Sequence, residues 1–481
     1  MRKPAPVLIF AAALLPAACT VGPNYAPPAI AVENSYTLAG GGEAETAAWW
    51  TKLQDKSLDG LVMAAARNNL DLRAAQARIR EARSQRIAIS GQDGPNLTAD
   101  GGFQHQRFSQ NAAPFNAFNV PGFPWEFNLY QAGFDANWEL DVFGGTRRAV
   151  EAATATVEAG EEEKRAVLVS LEAEVARNYV ELRGYQRQRE LAQRNLDLQN
   201  QTLTLTRDRV KNGVGSELDV SRATAQVEQT AAGIPLFDRG EWQSLHRLAV
   251  LTNQPLEKLA YLRESNPIPV PPDSVVTGVP AELLRRRPDI RRAERQLAAA
   301  TARIGQAQAE LYPKFSLTGY FNLQSASIDD LLNWKSRAFS IGPAVAWPVF
   351  EAGRLRALVA VRNAQQEQAL TAYEQSLQNA VQEVRDQLVA FTSERTRRDS
   401  LSKAVAADRD AADLAGKLYA QGLTDFLTVL DAERQLNEAE NALARSDTDI
   451  DTSLIALYKA LGGGWEGVPD AGSTPPPTPP V

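Results

Sequence analysis

The feature that most limits what this chain can become is the run YQAGFDANWELDV, from Tyr130 to Val142. Tyr130, Ala132, Phe134, Ala136, Trp138, Leu140 and Val142 take one set of alternate positions. Gln131, Gly133, Asp135, Asn137, Glu139 and Asp141 take the other. A period of two belongs to a β-strand with one apolar and one polar face. A half-buried soluble sheet shows the same alternation. Here, however, Asp135, Asn137, Glu139 and Asp141 follow one another on the polar face, which suits a water-filled lumen with lipid on the other side. Phe315 to Gln324 alternates in the same way, and Leu97 to Phe103 and Phe339 to Val349 follow more weakly. Strands of this kind, about 9–13 residues long, are the right length to cross a bilayer. The aromatic-rich loop at 115–127 suits an interfacial belt. Two hairpins give only four strands, whereas single-chain barrels of this type need at least about eight. An open sheet in lipid leaves backbone groups unpaired at its edges. If these strands span a membrane, other copies of the chain must complete the wall.

The hairpins belong to a plan written twice. NLDLRAAQARIREARSQ at 69–85 is echoed by RPDIRRAERQLAAATAR at 287–303, and VKNGVGSELDVSRATAQVE at 210–228 by YAQGLTDFLTVLDAERQLN at 419–437. Gly133 and Gly342, Trp138 and Trp347, Gly213 and Gly422, and Val220 and Val429 all stand 209 positions apart. The first copy is expected over 58–265, with a helix over 58–90, a hairpin over about 97–142, a long helix over about 147–211 and a tight turn near Gly213. The second is expected over 281–464, with a helix over 281–311, a hairpin over about 315–350, a long helix over about 354–420 and a turn near Gly422. Residues 147 to 210 contain no proline, and about 64 residues at 1.5 Å each would reach roughly 95 Å. A helical pattern this long means coiled coil, membrane span or helical array. Charges every few residues exclude the span. The returning helix is expected to kink at Pro235. A proline-rich linker occupies 266–280, and 465–481 reads as a flexible tail. The run RRRPDIRR reads as a solvated face pairing with carboxylates on neighbouring helices, with Pro288 near a helix start. The expected fold is mixed α and β, mainly α, with an internally duplicated helix–β-hairpin–long helix–helix unit.

Composition narrows the chemistry. A net charge of −7 argues against a dedicated nucleic-acid binder. One cysteine rules out disulfides within the chain and a Cys-based zinc site, and two histidines leave little for metal binding. That single cysteine, Cys19, ends a stretch that reads as an export signal over 1–18: Arg2 and Lys3, then VLIFAAALL, then small residues. The apolar run is too short to cross a bilayer. Small residues directly before Cys19 resemble a bacterial lipobox, in which the cysteine becomes the acylated N-terminus of a segment over 19–57. Pro16 stands where Leu is usual, with Leu15 one place earlier, and Thr20 replaces the Asp of an inner-membrane retention signal.

CTVGPNYAPP, WELDVFGG, GSELDVSRATAQVE, LLRRRPDIRRAERQLAAATARIGQAQAELYP and LYKALGGGW, in this order, resemble the outer-membrane factor (TolC-like) family, and within it the NodT-type outer-membrane lipoproteins of RND efflux systems. The resemblance runs from Cys19 to Trp465. It implies a homotrimer whose three sets of four strands form a 12-stranded barrel in the outer membrane of a Gram-negative bacterium, continued by a periplasmic α-helical barrel. It implies an exit duct for an efflux pump, with a periplasmic adaptor (membrane fusion) protein docked on the tips Gly213, Val214, Gly215, Gly422 and Leu423. Behind the adaptor stands an inner-membrane RND transporter. It implies a diacylglycerol and N-acyl lipid on Cys19, contact with outer-membrane lipids, and no catalytic residue, cofactor, metal or nucleic acid. Leu427, Asp431 and Arg434 match the family's periplasmic gate. They recur at i, i+4 and i+7 on one helical face, and threefold symmetry turns each into a ring. The alternative is that Leu427 packs in a coiled coil and Asp431 pairs with Arg434. Thr428 stands where some relatives carry a second aspartate. Asp219 and Tyr419 match a contact that locks the closed tip; Thr424 replaces the arginine that often joins it, which implies a looser lock.

A periplasmic coiled-coil scaffold that never spans the membrane is the rival reading, and it leaves the strand alternation unexplained. An enzyme finds no support: there is no P-loop, no His pair at metal spacing and no nucleophile elbow. The exported substrate is not written in these residues, though sparse His and Met lean away from dedicated copper or silver export.

Overall fold

The computed structural model describes residues 20–28, 47–109, 125–272 and 286–467. Cys19, the export signal, most of the 115–127 loop, linker residues 273–280 and tail residues 468–481 lie outside them. The element order is α1 (Lys56–Asn68), α2 (Leu70–Ser90), β1 (Asn96–Arg107), β2 (Glu126–Leu140), α3 (Gly145–Lys211), α4 (Glu217–Thr252), α5 (Pro288–Ala309), β3 (Lys314–Ser325), β4 (Arg337–Ala346), α6 (Arg354–Ala420) and α7 (Phe426–Ala460). Among the described residues no helix is long and apolar enough to cross a membrane. Two compact units contain these elements.

The first unit holds residues 79–159 and 294–372 and the amino-terminal segment, and it carries the sheet. Four antiparallel strands lie in the order β1-β2-β3-β4, so each strand pairs with its sequence neighbour. The register puts like with like. Ala99 faces Phe134, Phe134 faces Phe321 and Phe321 faces Phe339. Leu97, Ala136, Gly319 and Ile341 form the adjoining row of the same face. The opposite face carries the rows Thr98, Asp135, Tyr320, Ser340 and Asn96, Asn137, Thr318, Gly342. One apolar and one polar face therefore run unbroken across all four strands. Leu97, Phe103, Phe134, Phe321, Phe339 and Ile341 are exposed on the apolar face. β1 and β4 are both edges. Trp347 to Val349, expected to continue the last strand, lie beyond its end at Ala346, where the Trp347 indole donates to Leu311 O at 3.2 Å.

At the strand ends this unit grips residues 20–25. Val21 N donates to Phe143 O at 3.1 Å. The buried Arg148 donates to Val21 O at 3.1 Å, Gly22 O at 3.2 Å and Asn24 Oδ1 at 2.7 Å. Gly22 has φ +95°, and a Cβ there would come within 2.3 Å of Gly305 Cα. Only glycine fits both the dihedral and the space. Tyr25 packs on Ala155, Ala298 and Ala299 and donates to Glu294 at 3.0 Å.

The second unit holds the main core, where Leu58, Leu61 and Val62 of α1 meet Val175, Tyr179 and Leu182 of α3, Leu245 and Leu248 of α4, and Leu454 and Tyr458 of α7. The helix expected over 58–90 is two helices. Asn69 is extended at φ −60°, ψ 137° and serves both sides. Its N–H donates to Ala65 O at 2.9 Å, its Oδ1 accepts from Asp71 N at 2.8 Å, and its Nδ2 donates to Leu251 O at 3.0 Å. The bond to α4 holds the break where no Gly or Pro marks it. Pro235, by contrast, does not interrupt α4. Val227 packs before it, and the close approach of Gly240 to the Tyr185 ring follows it.

The arginine run is paired as expected but only partly solvated. Arg291 meets Glu162 at 2.7 Å. Arg287 is buried, joining Asp289 at 2.7 Å, Glu383 at 2.8 Å and Ala460 O at 2.7 Å, because α5 begins under the end of α7. Trp465, expected in the flexible tail, is packed. The guanidinium groups of Arg165 and Arg291 lie 4.9 and 5.7 Å from its ring.

Candidate functional site

The two helical turns at Gly213 and Gly422 are the same device. Each long helix ends with a glycine in the left-handed region, φ +79° at Gly213 and +77° at Gly422. Gly213 N donates to Val210 O and Val214 N to Arg209 O, both at 2.9 Å. Gly422 N donates to Tyr419 O and Leu423 N to Leu418 O, again both at 2.9 Å. This pair of bonds is a Schellman ending, which satisfies carbonyls the helix leaves open. Every pair of corresponding residues differs by 209, so the offset seen in the sequence extends to individual bonds. The next helix starts four residues after each glycine, capped by Ser216 or by Asp425 at the matching position. The apolar residue after each glycine usually folds back on its helix. Here it points away: Val214 is 63% exposed and Leu423 69%.

Asp425 accepts from Thr428 N at 2.9 Å and Thr428 Oγ1 at 2.7 Å, and these bonds hold its carboxyl below the usual range. Thr428, noted as standing where some relatives carry an aspartate, thus completes the start of α7.

α7 shows two faces beyond this cap. Phe426, Val429 and Leu436 are buried, whereas Leu427, Asp431 and Arg434 are exposed, Leu427 by 52%. The three residues share one solvent-facing stripe. Leu427 is not a core residue of the chain, and Asp431 does not pair with Arg434. Gln435 Nε2 donates to Asp431 at 3.0 Å, and Arg434 meets Glu438 at 3.7 Å.

No hydrogen bond joins Tyr419 to Asp219 in the chain. Tyr419 is buried among Leu203, Ala223, Val227 and Phe426, and its hydroxyl donates to Thr206 at 3.4 Å. Asp219 lies in the first turn of α4, half-buried. Tyr419 has an arginine neighbour that the sequence reading overlooked. Arg209, at the end of α3, donates from Nη1 to Tyr419 O at 2.6 Å and stacks its guanidinium 4.6 Å from the Tyr419 ring. Further up the same helix Thr202 donates to Glu433 at 2.7 Å. Burial pushes the Glu433 carboxyl up, and the Thr202 bond partly offsets it. A polar residue at each seventh position of α3 was the signal for these contacts, but their partners are more than 200 residues away.

Comparisons with known proteins agree with this geometry. Residues 61–254 and 279–463 match the family model described as outer membrane efflux protein. The chain is similar to outer membrane protein OprJ of Pseudomonas aeruginosa, 33% identical over 479 residues, covering 97% of each chain. It is similar to the toluene efflux pump outer membrane protein TtgI of Pseudomonas putida, 32% identical over 471 residues, covering 94% of this chain and 97% of the other. Among solved structures it resembles the outer-membrane channel OprN, 35% identical with a TM-score of 0.85, covering 93% of this chain and all of that one.

Proposed function

The chain belongs to the outer membrane efflux protein family, and from that membership we propose that three copies assemble into one continuous exit duct. It is an outer-membrane efflux channel of a tripartite pump, reaching into the periplasm, and it is not an enzyme. Its working parts are an adaptor protein and an inner-membrane transporter on one side and the exterior on the other. Family matches on both halves of the chain, together with the shared offset of 209, support an internal duplication.

One observation carries the trimer: a single protomer supplies four strands with two open edges and an apolar face continuous across all of them. In lipid those edges must be paired. Three sheets joined edge to edge give twelve strands, within the range of closed membrane barrels. Asp135, Asn137 and Glu139 then line the water-filled interior, and the exposed phenylalanines meet lipid.

At the helical tips, Leu427, Asp431 and Arg434 form rings around the threefold axis. The Leu427 ring narrows the opening, and three Asp431 carboxylates make it responsive to cations. The protruding tips Gly213, Val214, Gly215, Gly422 and Leu423 take the adaptor. Asp219 completes the closed state with Tyr419 in the assembled trimer. Cys19 carries the diacylglycerol and N-acyl anchor. Because Thr20 already lies against Gly144, that anchor is held at the feet of the first hairpin. Several acyl chains add about 0.8 kcal/mol per buried CH₂.

The test is current through planar bilayers holding the purified full-length protein. Discrete conducting steps are expected; a protein that inserts yet passes no current at any voltage contradicts the duct.

A further inference from the structure

The first hairpin exchanges its faces near its turn, at the end away from α3. On the apolar face Phe103 lies opposite Tyr130, their ring centroids 4.8 Å apart, and the next two pairs are His105 with Asn128 and Arg107 with Glu126. On the polar face the change is reversed, because Leu129 and Phe127 follow Gln131. The ladder continues without a slip to Arg107 and Glu126, so the exchange lies in the residues and not in the register. Phe103 and Tyr130 thus mark the end of the hydrocarbon band, and headgroups begin beyond them. The second hairpin carries a cation just inside this boundary. Arg337 opens β4 on the apolar face, in one row with Gly101, Ala132 and Leu323, next to the row of Phe103 and Tyr130. Its Nη1 donates to Trp334 O at 2.7 Å, and its guanidinium stacks 4.5 Å from the exposed Trp334 ring. Arg107 is ion-paired with Glu126. Arg337 and Lys335 have no such partner among the described residues; Asp329 and Asp330, in the same connection, form no ion pair with either.

An unpaired charge on the lipid side is costly at mid-bilayer and tolerated near the headgroups, where an anion can meet it. We propose that Arg337 and Lys335, with the Trp334 ring beside them, bind the phosphate of an outer-leaflet lipid whose acyl chains lie along the apolar face, a site that rests on the duct of three copies. Charge selects the headgroup. A guanidinium grips a phosphate through two parallel N–H bonds, and a neighbouring ammonium adds a second positive charge. Continuity selects a lipid over free phosphate, because Phe339 and Phe321 follow Arg337 and Leu323 on the same lipid-facing side. The place of Arg337 also matters for assembly. A ring of identical copies must join β4 of one to β1 of the next. Arg337 stands on that edge, so each bound headgroup lies at a seam between copies, three to a ring.

The experiment is native mass spectrometry of the full-length protein in detergent, with diphosphoryl lipid A added as the probe. The same lipid lacking both phosphates, and inorganic phosphate as competitor, are the controls. Wild-type trimers should carry up to three lipid A molecules and should not retain the dephosphorylated form. Arg337→Gln should weaken lipid A binding about fivefold, and Lys335→Gln with Arg337→Gln about thirtyfold. Equal retention of the two lipids by wild type overturns the site, even if a variant fails to assemble. Undiminished binding in assembled variants overturns it too, as does displacement of the lipid by inorganic phosphate. Wild-type trimers that conduct but bind no lipid A overturn the site alone. Wild-type monomers without current overturn the duct reading itself, and the site with it.

Discussion

Glu172 offers the sharpest quantitative check on the fold. It sits in α3 at 1% exposure, with neither carboxylate oxygen hydrogen-bonded among the described residues. A Cβ on Gly464 would come within 1.8 Å of its Oε2, so the backbone lies directly over the acid. Burial alone pushes this carboxyl from 4.5 to about 9, which leaves it protonated at neutral pH. A raised acid contributes its full stability below the unfolded value near 4.5 and loses it progressively as pH rises through about 9. Each pH unit within that window costs about 1.4 kcal/mol. Between pH 5 and pH 8 the loss from this one group is therefore about 4 kcal/mol. Glu172→Gln removes the titration while keeping the size, although its amide adds a buried donor costing about 1–3 kcal/mol. The assay is denaturant unfolding of wild type and Glu172→Gln in the same detergent at pH 5, 6, 7 and 8. The variant should be the less stable at pH 5, and the difference should move in its favour by about 4 kcal/mol by pH 8. Asp451, also raised by burial, acts in both proteins and cancels in the difference. Parallel profiles would refute a neutral, dry Glu172 and the core packing that imposes it.

Other outcomes follow from the ends of the chain. Leu427→Ala with Asp431→Ala should raise single-channel conductance, because both side chains stand free of the core; unchanged conductance places the constriction elsewhere. Cys19→Ser should abolish acyl labelling in cells, and labelling that persists removes the lipoprotein assignment. Gly22→Ala should free the 20–25 strap at a cost of about 2 kcal/mol or more, from its positive φ and the contact with Gly305. Chymotrypsin cleavage after Tyr25 should then quicken by about tenfold or more, and an unchanged rate contradicts the clamp.

The sheet was legible because a period of two leaves no other reading for Tyr130 to Val142, and the register then aligned Phe134, Phe321 and Phe339 as the pattern required. The tips were legible because glycine is the residue best suited to a left-handed helix ending, and two such glycines stand 209 apart. What escaped notice depends on residues distant in the chain. Asn69 breaks a helix through a bond to Leu251, and Arg209 reaches Tyr419 across 210 positions of sequence. Arg287 looked like surface charge until α7 covered it. Glu172 resembles any other helical glutamate in the sequence, and only the packing of Gly464 above it sets it apart.

The central claim is that one chain builds a third of a wall. Native mass spectrometry of the full-length protein, extracted gently from outer membranes, counts the chains directly. A single species of three copies, each retaining its sheet, is the predicted result. A stable, folded monomer, or a closed assembly of any other number, would contradict it.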